Sequence, residues 1–138
     1  MPVLDSYLFF DGTCAQAMRF YERTLGGKIE MMMTYAEAPD PSQCPAGAEN
    51  RIMHASLTIG DRRLMASDTQ PGQPKSAMNG FALSLNYPKA DEAKRIFEAL
   101  ADGGTVIMPI GKTFWAEAFG MVNDRFGTPW MVGGGEKS

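Results

Sequence analysis

His54 is the only histidine in the chain. Histidine titrates near neutral pH, so it can move a proton or orient a ligand. It stands in I-M-H-A-S-L-T-I, residues 52–59, where His54, Ser56 and Thr58 alternate with Met53, Ala55, Leu57 and Ile59. A period of two sends these sets to opposite faces of a strand. The apolar set is expected to meet a helix, and the polar set to face a cavity or solvent. Glu117 lies 63 residues further on, the offset that also separates Gly60-Asp61 from Asn123-Asp124. It shares a strand face with Trp115, Phe119 and Met121. A His54/Glu117 pair facing a pocket could exchange a proton or bind a cationic group. The competing readings are a hydrogen-bonded structural histidine and a solvated carboxylate.

Other residues could touch a ligand. Asp68 ends a hairpin, where a carboxylate serves either as a turn or cap residue or as a contact at a pocket rim. Phe9, Tyr35, Trp115 and Trp130 suit a core or interface, but an aromatic wall also suits a planar or cationic molecule through stacking and cation–π contacts. Cys14 and Cys44 have no C-x-x-C partner and no Cys-His signature, so they read as idle reduced thiols. Neither G-x-G-x-x-G opening a helix, nor G-x-x-x-x-G-K-[ST], nor G-x-S-x-G occurs, so no dinucleotide, phosphate-loop or nucleophile-elbow site is indicated.

The elements that must position these residues follow in order. Ser6–Phe10 reads as a strand. Asp11-Gly12-Thr13 is a turn that offers N-cap oxygens. Cys14, Ala17, Met18, Tyr21 and Leu25 recur at helical spacing, and Gly26-Gly27 stops that helix. Strands are expected over Ile29–Tyr35, Ile52–Ile59 and Arg63–Ser67. Residues 36–51 carry three prolines and no apolar period, and a loop of this length is read as a lid over a site. Asp68–Gly80 reads as a linker. A strand (Phe81–Tyr87), a helix (Ala90–Ala101) ended by Asp102-Gly103-Gly104, a strand (Thr105–Ile110) and a hairpin (Thr113–Gly133) follow. Gly133-Gly134-Gly135 is read as a flexible tail.

The order strand–helix–strand–strand–strand occurs twice. A shift of 77 residues lays Leu8 on Leu85, Phe20 on Phe97 and Gly26-Gly27 on Gly103-Gly104. Internal repetition decides the fold class: α+β, two βαβββ modules in one domain over residues 1–138, with module 1 at about 1–70 and module 2 at about 78–135. Each helix covers one face of its sheet, leaving the other face for something else.

Composition narrows the function. The net charge of −3 and pI near 5.1 argue against nucleic acid, which needs a basic patch. No apolar run reaches about 18 residues, so no membrane span is expected. The N-terminus lacks a basic and then apolar stretch, so a cytoplasmic location is expected. Eleven methionines suit adaptable packing or a tolerant binding surface.

Three stretches carry a family resemblance: Y-L-F-F-D-G-T-C-A-Q-A-M-R-F-Y-E-R-T-L-G-G (7–27), H-A-S-L-T-I-G-D-R-R-L-M-A-S-D (54–68) and F-G-M-V-N-D-R-F-G-T-P-W-M-V (119–132). With the doubled topology they resemble the vicinal oxygen chelate superfamily of glyoxalases, bleomycin-resistance proteins and extradiol dioxygenases, and within it the PhnB-like branch. The resemblance implies a curved, cup-shaped mixed sheet with helices outside, a small organic molecule inside the cup, and a homodimer. It also implies metal ligands on the first and last strand of each module. Those positions fall on Ser6, Gly80, Met131 and the vicinity of Met65–Ser67, none of them His, Glu or Asp. No cofactor is therefore expected, and Met131 is read as a ligand contact. The alternatives are a lyase, isomerase or dioxygenase with a divalent metal on atypical ligands such as His54 and Glu117, or metal-free acid–base chemistry by that pair.

Overall fold

The computed structural model describes residues 1–39, 44, 46–70 and 77–136. The chain forms two compact units, Met1–Lys75 and Ser76–Ser138. Each contains one βαβββ module, so the α+β class and the doubled topology expected from the repeat are both present.

In the first unit, β1 (Ser6–Phe10), α1 (Cys14–Leu25), β2 (Lys28–Thr34), β3 (Ile52–Ile59) and β4 (Arg62–Asp68) build a four-stranded sheet in the order β1-β4-β3-β2. β1 runs parallel to β4, and the other pairs are antiparallel. Helix α1 buries Cys14, Ala17, Met18, Phe20 and Tyr21, the stripe its spacing predicts. On the sheet, Leu8, Phe10, Ala55, Leu57, Leu64 and Ala66 are buried with it. The apolar set on β3 therefore meets the helix.

The second unit repeats the plan. β5 (Leu83–Tyr87), α2 (Ala90–Ala101), β6 (Thr105–Gly111), β7 (Ala116–Asn123) and β8 (Pro129–Glu136) give the order β5-β8-β7-β6, with β5 parallel to β8. α2 buries Ala93, Ile96, Phe97 and Leu100, and the sheet answers with Ala116, Ala118, Val122, Trp130 and Val132.

The two glycine pairs do the same two jobs. Gly26 (φ 79°) and Gly103 (φ 78°) take the left-handed conformation at the ends of the helices, which glycine adopts without a Cβ penalty. Gly27 and Gly104 lie so close to the next strand that a Cβ would overlap the Thr58 and Asn123 carbonyl oxygens.

Two local expectations are corrected. Gly133-Gly134-Gly135 is not a tail: it lies within β8, a central strand bonded to both β5 and β7. These positions are small because a Cβ on Gly134 would run into the Lys89 carbonyl and Ala93, and Gly135 has φ 66° beside Glu117. The turn Asp11-Gly12-Thr13 does not cap α1, since Thr13 makes no side-chain cap and Asp11 pairs with Arg51. The cap comes instead from β4, as described below. The linker reading of 68–80 falls partly outside the described residues. So does the lid reading of 36–51, but the base of that loop is tied down. The Tyr35 N–H donates to the Arg51 carbonyl (3.0 Å) and the Ala36 N–H to the Glu49 carbonyl (3.3 Å), and Ala38 and Ala48 are buried.

Candidate functional site

Each sheet has a face its own helix does not cover, and the strand register says what lies there, because directly paired residues share a face. In the first unit the pairs Tyr7↔Met65↔Ser56↔Met31 and Met33↔His54 put tyrosine, histidine, serine and three methionines on that face. Phe9, paired with Ser67, joins them. Tyr7 and Phe9 remain 38% and 60% exposed, although both are large rings on a sheet.

His54 has a partner there that spacing did not suggest. The Tyr7 hydroxyl lies 3.0 Å from His54 Nδ1, and the two rings stack with centroids 5.6 Å apart at 29°. Phe9 packs on Tyr7 at 5.2 Å. Strand β4 separates β1 from β3, so the phenol reaches across a whole strand, and a periodicity argument confined to β3 contains no signal for it. A reading of paired strands could have found it: Tyr7 aligns with Met65 and Met65 with Ser56, one same-face step from His54.

In the second unit the uncovered face carries Ser84↔Met131↔Met121↔Met108 and Asn86↔Gly133↔Phe119. Met131, which the resemblance makes a ligand contact, is half-buried on this face between Ser84 and Met121. Trp115 stacks edge-on against Phe119 at 5.2 Å and against Phe114 at 4.8 Å. These rings open on a cleft of about 380 Å³ lined by Asn86, Tyr87, Pro88, Trp115, Ala116, Phe119, Gly133, Gly134 and Glu136. Gly133 leaves the floor clear: a Cβ there would sit 3.3 Å from Asn86 Oδ1 and 3.5 Å from the Phe119 ring. Burial, reinforced by the Glu92 carboxylate and opposed by Arg95, holds the Tyr87 phenol above its ordinary value, so it stays protonated.

Glu117 is exposed on the same sheet face. It borders a second cleft, of about 420 Å³, with Pro88, Lys89, Ala90, Asp91, Gly135 and Glu136. His54 and Glu117 belong to different units.

Asp68 is committed to the backbone. It is 3% exposed. Oδ1 accepts from the N–H groups of Gly12 (2.8 Å) and Cys14 (3.0 Å), and Oδ2 from that of Ile52 (2.9 Å). It therefore fixes the start of α1 and the start of β3 at once. Asp124 does comparable work in the second unit, accepting from Phe126 and Thr128 N–H and from Trp130 Nε1–H at 2.9 Å. Trp130 is accordingly a core residue, 2% exposed. Tyr35 is half-buried just beyond β2.

The positions where enzymes of this fold place a metal do not fit one here. Ser6 offers a hydroxyl, Gly80 no side chain, Met131 a thioether, and the stretch Met65–Ser67 a thioether and a hydroxyl. A divalent Lewis acid wants imidazole, carboxylate or thiolate donors. Among the described residues, no three His, Cys, Asp or Glu side chains come together as a ligand set. Cys14 is no candidate: burial first, and then the nearby Asp68 charge, push its thiol up to about 12. No helix among the described residues is long and apolar enough to cross a membrane.

Comparison with known proteins agrees with the geometry. The profile of the Glyoxalase/Bleomycin resistance protein/Dioxygenase superfamily matches residues 3–132. Protein YjdN of Escherichia coli is 39% identical over 140 residues, covering 96% of this chain and 94% of that one. The crystal structure of protein PA1353 from Pseudomonas aeruginosa superposes with a TM-score of 0.91 at 43% identity, over 99% of this chain and 100% of the other. A Bacillus cereus PhnB protein, titled a putative 3-demethylubiquinone-9 3-methyltransferase, shares the fold at TM-score 0.80 and 24% identity, covering 96% and 99%.

Proposed function

We infer a ligand-binding role from one premise: the chain belongs to the Glyoxalase/Bleomycin resistance protein/Dioxygenase superfamily. The protein binds a small organic molecule against the helix-free faces of its sheets. The observation that carries this reading is the cleft of about 380 Å³ beside Trp115 and Phe119. Its volume lies within the range of ordinary ligand sites, with Tyr87, Trp115 and Phe119 as aromatic lining beside polar groups. Asn86 and Glu136 supply those polar groups. The methionines on the same faces, Met31, Met33 and Met65 in one unit and Met108, Met121 and Met131 in the other, offer adaptable apolar contact.

Indole, quinoline and naphthalene-2-sulfonate test the reading as neutral, weakly basic and anionic planar probes. A saturable rise in melting temperature with at least one of them, lost in Trp115→Ala, is the expected result. No shift with any of the three would overturn it.

The physiological form is proposed to be a cytoplasmic homodimer. Phe114, Val106 and Ile107 are large apolar side chains left 87%, 45% and 54% exposed, the kind of surface a second copy covers. Sedimentation at two concentrations reads this out, and a monomer at both would contradict it.

A further inference from the structure

We propose that Tyr7 holds His54 in a single tautomer and so makes its Nε2–H a directed hydrogen-bond donor for an oxygen acceptor on the bound molecule. The proposal names a chemical class for the ligand at the first sheet: a carbonyl or carboxylate oxygen attached to an apolar body. It rests on the ligand-binding reading above.

The geometry is specific. Tyr7 Oη and His54 Nδ1 are 3.0 Å apart, a normal hydrogen-bond separation. A phenol O–H is a good donor, and the unprotonated nitrogen of a neutral imidazole is the better acceptor of the two groups. The Tyr7 hydroxyl therefore donates to Nδ1, and the ring proton is left on Nε2. The ring cannot easily turn over to undo this. Tyr7 is held between Phe9 (5.2 Å) and the His54 ring (5.6 Å), and both strands carrying the pair are fixed to β4.

The other nitrogen is available. Tyr7 is the hydrogen-bond partner found for the His54 ring, and no buried side-chain nitrogen or oxygen among the described residues lacks a partner. Nε2 is therefore not sealed inside the unit. His54 itself stands on the helix-free face, paired with Met33 on β2 and on the same side as Phe9. An acceptor oxygen would meet a donor whose direction is already set, and its apolar body would meet a thioether and a ring. Preorganisation of this kind removes an ordering cost from binding.

Because the chain has one histidine, one imidazole signal reports the state directly. Long-range ¹H–¹⁵N correlation of ¹⁵N-labelled protein, at a pH where the ring is neutral, should show Nε2 protonated and Nδ1 shifted as a hydrogen-bond acceptor. In Tyr7→Phe the Nδ1 shift should move to that of an unbonded imidazole nitrogen. A proton on Nδ1 in the wild type, or an unchanged pattern in Tyr7→Phe, would overturn the proposal. A merely structural tyrosine would leave this signature alone.

Benzoate and benzamidinium, alike in shape and opposite in hydrogen-bonding sense, test the ligand class. Benzoate should move the His54 ring resonances and benzamidinium should not. His54→Gln, whose amide N–H lies near the Nε2 position, should retain benzoate binding. His54→Asn, whose amide lies near Nδ1, should weaken it about tenfold, the effect of one hydrogen bond to a charged group. Equal responses to the two probes, or equal behaviour of the two variants, would refute the donor role. If planar probes bind at Trp115 while benzoate leaves His54 unmoved, the donor proposal fails and the binding reading stands. If no probe binds anywhere, the binding reading fails, and with it the assigned ligand class.

Discussion

The Asp68 carboxylate on β4 receives the N–H of Cys14, the first residue of α1, at 3.0 Å. One side chain thereby stitches the helix to the far end of the strand that β1 pairs with. The contact bears on stability, and the burial of Cys14, with the Asp68 charge second, bears on its thiol chemistry.

For stability, Asp68→Ala leaves the N–H groups of Gly12, Cys14 and Ile52 without their acceptor. Buried donors so orphaned cost about 1–3 kcal/mol each when water cannot replace the partner, with less than full additivity. Urea unfolding should show a loss of about 3 kcal/mol for Asp68→Ala. Asp68→Asn should lose less, since one oxygen can still serve Gly12 and Cys14. Equal stability of wild type and Asp68→Ala would contradict the clasp.

For the thiol, Cys14 should be inert. Its folded value near 12 lies above the ordinary 9.0, so at neutral pH almost no thiolate is present to react. Ellman's reagent should titrate at most Cys44 in the native protein and both cysteines in denaturant. Rapid native modification of Cys14 would refute the assignment.

The sign of the linked pH effect follows from the same shift. A raised folded-state value favours the protonated form in the folded protein. That contribution is intact below about pH 9 and is lost as pH climbs toward about 12. The difference in stability between wild type and Cys14→Ala should therefore narrow over this alkaline range. A difference that stays flat would argue against the buried neutral thiol.

Two glycines flanking and ending β6 give a contrast. Gly104→Ala would drive a methyl group into the Asn123 carbonyl, whereas an added Cβ at Gly111, at the far end of β6, meets nothing within 4 Å. Thermal unfolding should show Gly104→Ala destabilised by about 2 kcal/mol or more, and Gly111→Ala within about 0.5 kcal/mol of wild type. Similar losses at both positions would mean that close packing is not why Gly104 is glycine.

Much of this was legible in the residues. The 77-residue register predicted two modules, and Gly26 and Gly103 proved alike in φ while Gly27 and Gly104 proved alike in their closeness to a strand. Alternation on β3 assigned Ala55 and Leu57 to the helix side correctly. What escaped was long-range. The cap role of Asp68 is one of its sequence readings, but its three backbone donors come from two other segments and leave no mark in a local pattern. Tyr7 was invisible beside His54, because β4 intervenes. The triple glycine looked like a tail, since close approach to Lys89 and Ala93 leaves no mark in a local pattern.

The central claim is that a small molecule binds beside Trp115. Tryptophan fluorescence, titrated with naphthalene-2-sulfonate, tests it most directly, because the only other tryptophan, Trp130, is buried against Asp124. Saturable quenching is expected in the wild type and should disappear in Trp115→Phe. Unsaturable quenching, or the same saturation curve in Trp115→Phe, would contradict it.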